Sequence, residues 1–278
     1  MNNPTSWYYA SHKKRAFLYQ QQLCDAVRWT KYNLEGQKQI SPNSLSAIQG
    51  NPLTIRLLAL DEALKHFAKI KKIEKKIKEL ARVQFGKGKI FLMKGTWHAE
   101  SSPLNTNGAP IETIDIAGEH LELKHIDVQL ALYEFFTNFG SAIDRLTFEI
   151  DMLYNLEIPQ LNRYWGTLTN PKKDYLSTLK EKDKDLADLL ANYATTFGKA
   201  PKYRNRMVHD GIIKVEVDMS IVSKAIVLLA EDPDDDNSPM NVDAIELCEK
   251  TRIELLNLLE ESYQLMFQHF QTSGNPPW

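Results

Sequence analysis

Cysteine is nearly absent: Cys24 and Cys248 stand alone in 278 residues, each inside a helical pattern. A disulfide framework or a cysteine-built zinc site is therefore not expected, and a reducing, cytoplasmic compartment is. Long apolar runs are missing too. None approaches the roughly 20 residues that span a bilayer, so no membrane partner is expected. The opening Met1-Asn2-Asn3-Pro4-Thr5-Ser6-Trp7 lacks the charged-then-apolar order of a secretory signal. Neither sign of charge prevails: 34 Lys and Arg face 36 Asp and Glu, for a net charge of −2. An electrostatic case for nucleic acid must therefore be local. The chain has no phosphate-cradling glycine loop and no G-x-S-x-G elbow, which leaves kinase, NTPase and hydrolase readings without support. It has no internal repeat, no low-complexity tract and no linker long enough to demand two domains.

What is present is an ordinary globular composition, 43% hydrophobic and 25% charged. Apolar spacing supplies the elements. Phe17, Leu18, Leu23, Val27 and Leu34 predict a first helix that closes at Gly36. After Gly50-Asn51-Pro52, the steps Leu60, Ala63, Phe67, Ile70, Ile73, Ile77 and Leu80 share one face of a helix from Leu53 to about Gln84. At about 1.5 Å per residue that helix would be close to 48 Å long.

Between Gly86 and His125, glycines punctuate β-leaning pieces: Ile90 to Met93, Ile111 to Ile116 and Leu121 to Leu123. Helical spacing returns from Asp127 to about Leu156, with Leu132, Phe135, Phe136, Phe139, Ile143, Leu146, Ile150 and Leu153 on one side. This is the expected central core helix. Pro159 and Pro171 bound a connector, and Lys172 to Phe197 reads as one broken helix or two short ones. Ile213 to Val217 and Ala225 to Leu229 form a predicted hairpin. The acidic loop Glu231 to Asp236 then leads to a final helix from about Val242 to Phe270. The expected fold is all-α with a small β accessory, comprising an amino-terminal region, 1–125, packed on a helical domain, 126–278.

The densest chemistry lies in Tyr203-Arg204-Asn205-Arg206-Met207-Val208-His209-Asp210-Gly211. On a helix, Asn205 and His209 are i and i+4 and share a face. Arg204 is five residues before His209, roughly 140° around the helix. Pro201 suits a helix start, whose free N–H groups favour an anion.

The run Arg204-Asn205-Arg206-Met207-Val208-His209 resembles the R-x4–6-H motif of the HEPN superfamily, in the form with Asn directly after Arg. The helical core before it, Asp210-Gly211 after it, and the downstream hairpin, acidic loop and long terminal helix are similar to a group of larger bacterial members. The likeness covers roughly Leu130 to Phe270, about half the chain; no family is recognised in the first 120 residues. The resemblance implies a HEPN-like helical bundle acting as a metal-independent endoribonuclease that needs no cofactor. His209 would be the general base or acid, because imidazole changes charge near neutral pH. Arg204 would hold the phosphate and the extra charge of its transition state. Asn205 would orient His209 or the phosphate, while Tyr203, Arg206 and Asp210 are possible supports. The family also implies RNA as substrate, a homodimer that faces two motifs across one cleft, a toxin or phage-defence role, and an antitoxin or regulatory partner.

Other candidates carry plainer readings. Asp144, among apolar neighbours, would fix His209 or Arg204 from behind; a pair with Arg145 or a solvated face is the simpler expectation. Ten Lys and Arg against two Glu between Lys65 and Lys89 would track an RNA backbone or serve as the wet face of the helix. Trp7-Tyr8-Tyr9 with His12-Lys13-Lys14-Arg15 would stack on unpaired bases, although core packing is the simpler expectation. His98, His120 and His125 with Glu119 and Glu122 do not match metal-ligand spacing, so no metal is expected. Two rivals to the nuclease remain: a non-catalytic module holding a nucleotide or RNA end at Arg204 and His209, and a helical interaction protein binding through Leu53–Gln84.

Overall fold

The computed structural model describes residues 15–23 except 17, 53–68 except 66, residue 72, 92–95, 111–116, 119–209, 215–220, 227–230 and 242–273. Residues 7–14, the expected helix beyond 68 (Lys72 apart), His98, Asp210-Gly211 and the acidic loop lie outside them. The described chain is mostly helical, as its periodicity predicts. It falls into two compact units interleaved along the sequence: one holds 139–198 and 251–273 with described segments before 59, and the other holds 59–138 and 199–250.

In the first unit the core is built on the later part of α1 (His125–Tyr154), where Phe139, Ala142, Ile143, Leu146, Ile150 and Leu153 are buried. Steps of three and four put them on one stripe. Phe197 closes an aromatic cluster with Phe139, Trp165 and Tyr193, at centroid distances of 5.1, 5.8 and 5.8 Å. Leu255, Leu256, Leu258, Leu259, Tyr263 and Met266 of α6 (Ala244–Ser273) are buried in the same unit.

Helix α1 stops at Asn155, which takes φ 47°, a left-handed conformation that asparagine tolerates. The Leu156 N–H then reaches back to the Asp151 carbonyl at 3.3 Å, the six-to-one bond of a Schellman cap, and Leu156 is buried as that motif prefers. The Asp151 carboxylate fastens the exit, accepting from the Ile158 N–H at 3.1 Å and pairing with Arg163 at 2.6 Å. A short turn, α2 (Trp165–Leu168), leads to α3 (Tyr175–Lys182) and α4 (Lys184–Thr196). Asp183 caps α4 by accepting from the Leu186 N–H at 3.0 Å, and also accepts from the Tyr154 hydroxyl at 2.6 Å. One buried carboxylate thus ends one helical connection, starts the next helix and ties both to α1.

A second polar knot lies deeper. Glu149, on the buried stripe of α1, accepts from Tyr263 at 2.7 Å, from Arg145 at 3.0 Å and from Gln20 at 3.4 Å. Gln20 also donates to the Tyr263 hydroxyl at 3.0 Å. Arg145 is held over the Phe148 ring, 5.1 Å from its centroid. These bonds offset the cost of taking a carboxylate out of water, and they join three segments far apart in sequence.

The second unit carries the candidate motif. Its core includes Leu60, Ala63, Phe67, Ala131, Leu132, Phe135 and Phe136. Strands β1 (Leu92–Gly95), β4 (Val215–Ser220), β5 (Val227–Ala230) and β6 (Val242–Asp243) pair antiparallel in the order β1-β4-β5-β6. Val217 faces both Gly95 and Leu228 in this register. Strands β2 (Ile111–Ile116) and β3 (Glu119–Lys124) make a separate antiparallel pair, with Ile116 opposite Glu119. The β4 and β5 strands each begin two residues later than the sequence pattern places them, and end three and one residues later. Asp243 ends β6 and starts α6, accepting from the N–H groups of Ile245 and Glu246 at 3.0 and 2.9 Å. Its spacing to Glu246 is that of a capping box.

Candidate functional site

The motif forms helix α5 (Ala200–His209). Gly198 takes φ 53°, a left-handed turn that breaks the chain away from α4. The Lys199 carbonyl accepts from the Tyr203 N–H at 3.0 Å, which opens the new helix. Pro201 falls in the first turn, where its missing N–H costs no helical bond.

One face of α5 is anchored. Ala200, Tyr203 and Met207 are buried, at steps of three and four. Tyr203 is fully enclosed, its ring stacked on Phe136 at 5.2 Å and 21° between planes. That contact fixes the rotation of the helix and so decides which residues face water. Lys202, Asn205, Val208 and His209 are exposed, and Arg204 and Arg206 are half-buried.

The polar face is cationic. Lys202, Arg204 and Arg206 stand in a ten-residue helix without a single acid. Arg206 and His209 occupy the last turn, where the helix dipole favours positive charge. Arg204 Nη1 donates to Asn205 Oδ1 at 3.0 Å. Among the described residues, the exposed His209 ring has no hydrogen-bond or ion-pair partner. The arrangement offers a solvent-facing imidazole, an amide and three cations within two and a half turns, a set suited to a phosphodiester.

Of the expected site residues, α5 brings Arg204, Asn205, Arg206 and His209 onto its open sides. Tyr203 is turned into the core and serves packing. Asp210 falls outside the described residues. Asp144 belongs to the other compact unit, where its Oδ1 accepts from the Trp165 N–H at 2.9 Å and so receives the start of α2. The Arg145 guanidinium donates to Glu149. Lys65, from the basic run, pairs with Glu62.

Sequence reasoning missed Lys202. Its seven-residue spacing from His209 puts it two turns away on the same side, a signal present in the numbering alone. Glu149 was missed as well, although it stands between Leu146 and Ile150 on the apolar stripe. Burial pushes its carboxyl up to about 7, against the opposing pull of the Tyr263 hydrogen bond and the Arg145 charge.

No group of three or more His, Cys, Asp or Glu among the described residues can hold a metal ion. No described helix is long and apolar enough to cross a membrane. Comparison with protein-family models, with curated proteins and with solved structures finds no match for this chain.

Proposed function

We propose that the protein is a metal-independent endoribonuclease of HEPN type, with α5 as its working element. The observation that carries this reading is the rotation of α5: Tyr203 and Met207 are buried, and the opposite side exposes His209 with Asn205 in a helix that has no acid. RNA carries its own nucleophile, the 2′-hydroxyl, so cleavage needs only a base and an anion stabiliser at the right places. His209 removes the 2′-hydroxyl proton. The 2′-oxygen then attacks phosphorus, the bond to the 5′-oxygen breaks, and that oxygen takes up a proton as it leaves. The products are a 2′,3′-cyclic phosphate and a 5′-hydroxyl. No cofactor takes part.

Arg204 stabilises the charge on the phosphorane. It sits roughly 140° from His209 around one helix, so the two meet one phosphate most directly when Arg204 comes from a second copy. A homodimer facing two α5 helices is therefore part of the proposal, as the resemblance implies. Asn205, bonded to Arg204, orients that guanidinium in the free protein. A toxin or phage-defence role, with a neutralising antitoxin or regulatory partner, follows from the resemblance.

The test is an RNA oligonucleotide and its counterpart with a 2′-deoxy sugar at the cleaved position, both incubated in EDTA. The RNA should yield cyclic-phosphate and 5′-hydroxyl ends, and the deoxy substrate should stay intact at that bond. Cleavage of both would end the proposal. Tight retention of a nucleotide without cleavage, lost on Arg204→Gln, would establish the binding module instead.

A further inference from the structure

Helix α5 presents more than the motif requires. With Ala200, Tyr203 and Met207 buried, the residues opposite are set by a turn of about 100° per residue. Lys202 lies roughly 20° from His209, Asn205 roughly 40° to one side and Arg206 roughly 60° to the other. These four make one arc of about 100°. Arg204 is outside it. Burial agrees with this wheel, since Lys202, Asn205 and His209 are exposed and Arg206 is half-buried.

Along the axis, Arg206 is about 4.5 Å and Lys202 about 10.5 Å before His209. The buried face of α5 is made by Ala200, Tyr203 and Met207, and Lys202 and Arg206 lie outside it.

We infer that Lys202 and Arg206 grip the phosphodiester backbone of a single RNA strand beside the bond that His209 attacks, as a same-chain binding track distinct from Arg204. The inference rests on the ribonuclease reading and divides its labour. Arg204 acts on the reacting phosphate, whereas Lys202 and Arg206 hold the neighbouring phosphates and set the strand's direction along α5. Ligand recognition here is by charge, so it is tolerant of base sequence and sensitive to salt.

The experiment measures binding of fluorescein-labelled oligouridylate to the full-length His209→Ala protein across a range of salt. Each phosphate contact on a single strand contributes a slope of about −0.7 in log affinity against log salt. Adding Lys202→Gln and Arg206→Gln should make the slope shallower by about 1.4, and Lys202→Gln alone, at an exposed position, by about 0.7. The charge-keeping pair Lys202→Arg and Arg206→Lys should restore the parent slope. A control that removes two exposed charges elsewhere, Lys172→Gln with Lys173→Gln, should leave it unchanged. If the parent binds and the α5 variants keep its slope, the track is refuted while the nuclease reading stands. If the parent binds no RNA at any salt, both fall.

Discussion

Replacing Glu149 with glutamine should change how stability depends on pH. The carboxyl is fully buried, and burial raises it from an ordinary 4.5 to about 7 despite hydrogen bonds from Tyr263, Arg145 and Gln20. A proton bound more tightly by the folded chain than by the unfolded one stabilises the fold at low pH. That contribution is fully present below about 4.5 and is lost as pH rises through about 7. The rise from 4.5 to about 7 corresponds to about 3 kcal/mol at 1.36 kcal/mol per pH unit.

Glutamine carries no titrating proton, yet its oxygen can still accept from the Tyr263 hydroxyl. The stability of Glu149→Gln minus that of the parent should therefore climb by about 3 kcal/mol between pH 4.5 and pH 8. Urea unfolding midpoints at closely spaced pH values, with the slope m checked for constancy, measure this difference directly. A flat difference across that range would refute the reasoning, because it would mean that burial does not control the Glu149 proton.

Other substitutions probe the scaffold of α5 and the exit from α1. Tyr203→Ala removes an enclosed ring stacked on Phe136 and should cost about 3–5 kcal/mol by chemical denaturation; a loss below 1 kcal/mol would mean that the ring does not anchor the helix. Glu157 is exposed at φ 59°, so Glu157→Gly should raise the melting temperature through relief of about 1 kcal/mol of left-handed strain. A lower melting temperature would show that the strain is absent or that chain entropy outweighs it.

Much of the helical framework was legible in the sequence because its signals are local. The stripe from Phe135 to Leu153 and the terminal helix follow from steps of three and four. Gly198 and Pro201 bracket the start of α5 in the way that backbone sterics require. The motif's exposure was readable in the same manner, since Ala200, Tyr203 and Met207 already have the spacing of a buried face. Tyr203 nevertheless drew attention as a site residue because it stands among cations, where its neighbours in sequence outweigh its neighbours in space.

What escaped depends on distant partners. Glu149 is an odd charge on an apolar stripe until Gln20 and Tyr263 meet it, 129 and 114 residues away. Asp144 drew readings from its motif and its neighbours in sequence, and the bond from the Trp165 backbone N–H, 21 residues on, is one that sequence does not announce. Asp183 likewise serves α4 through an ordinary cap that sequence suggests, and serves Tyr154 through a contact that sequence does not.

The central claim is that His209 on α5 is the catalytic base of RNA cleavage. It is tested most directly by incubating purified parent and His209→Ala proteins with a mixed cellular RNA pool in EDTA. Loss of a general base should slow cleavage by about 10²–10⁴, with cyclic-phosphate ends formed by the parent. Equal cleavage rates for the two proteins, or no cleavage by either, would contradict it.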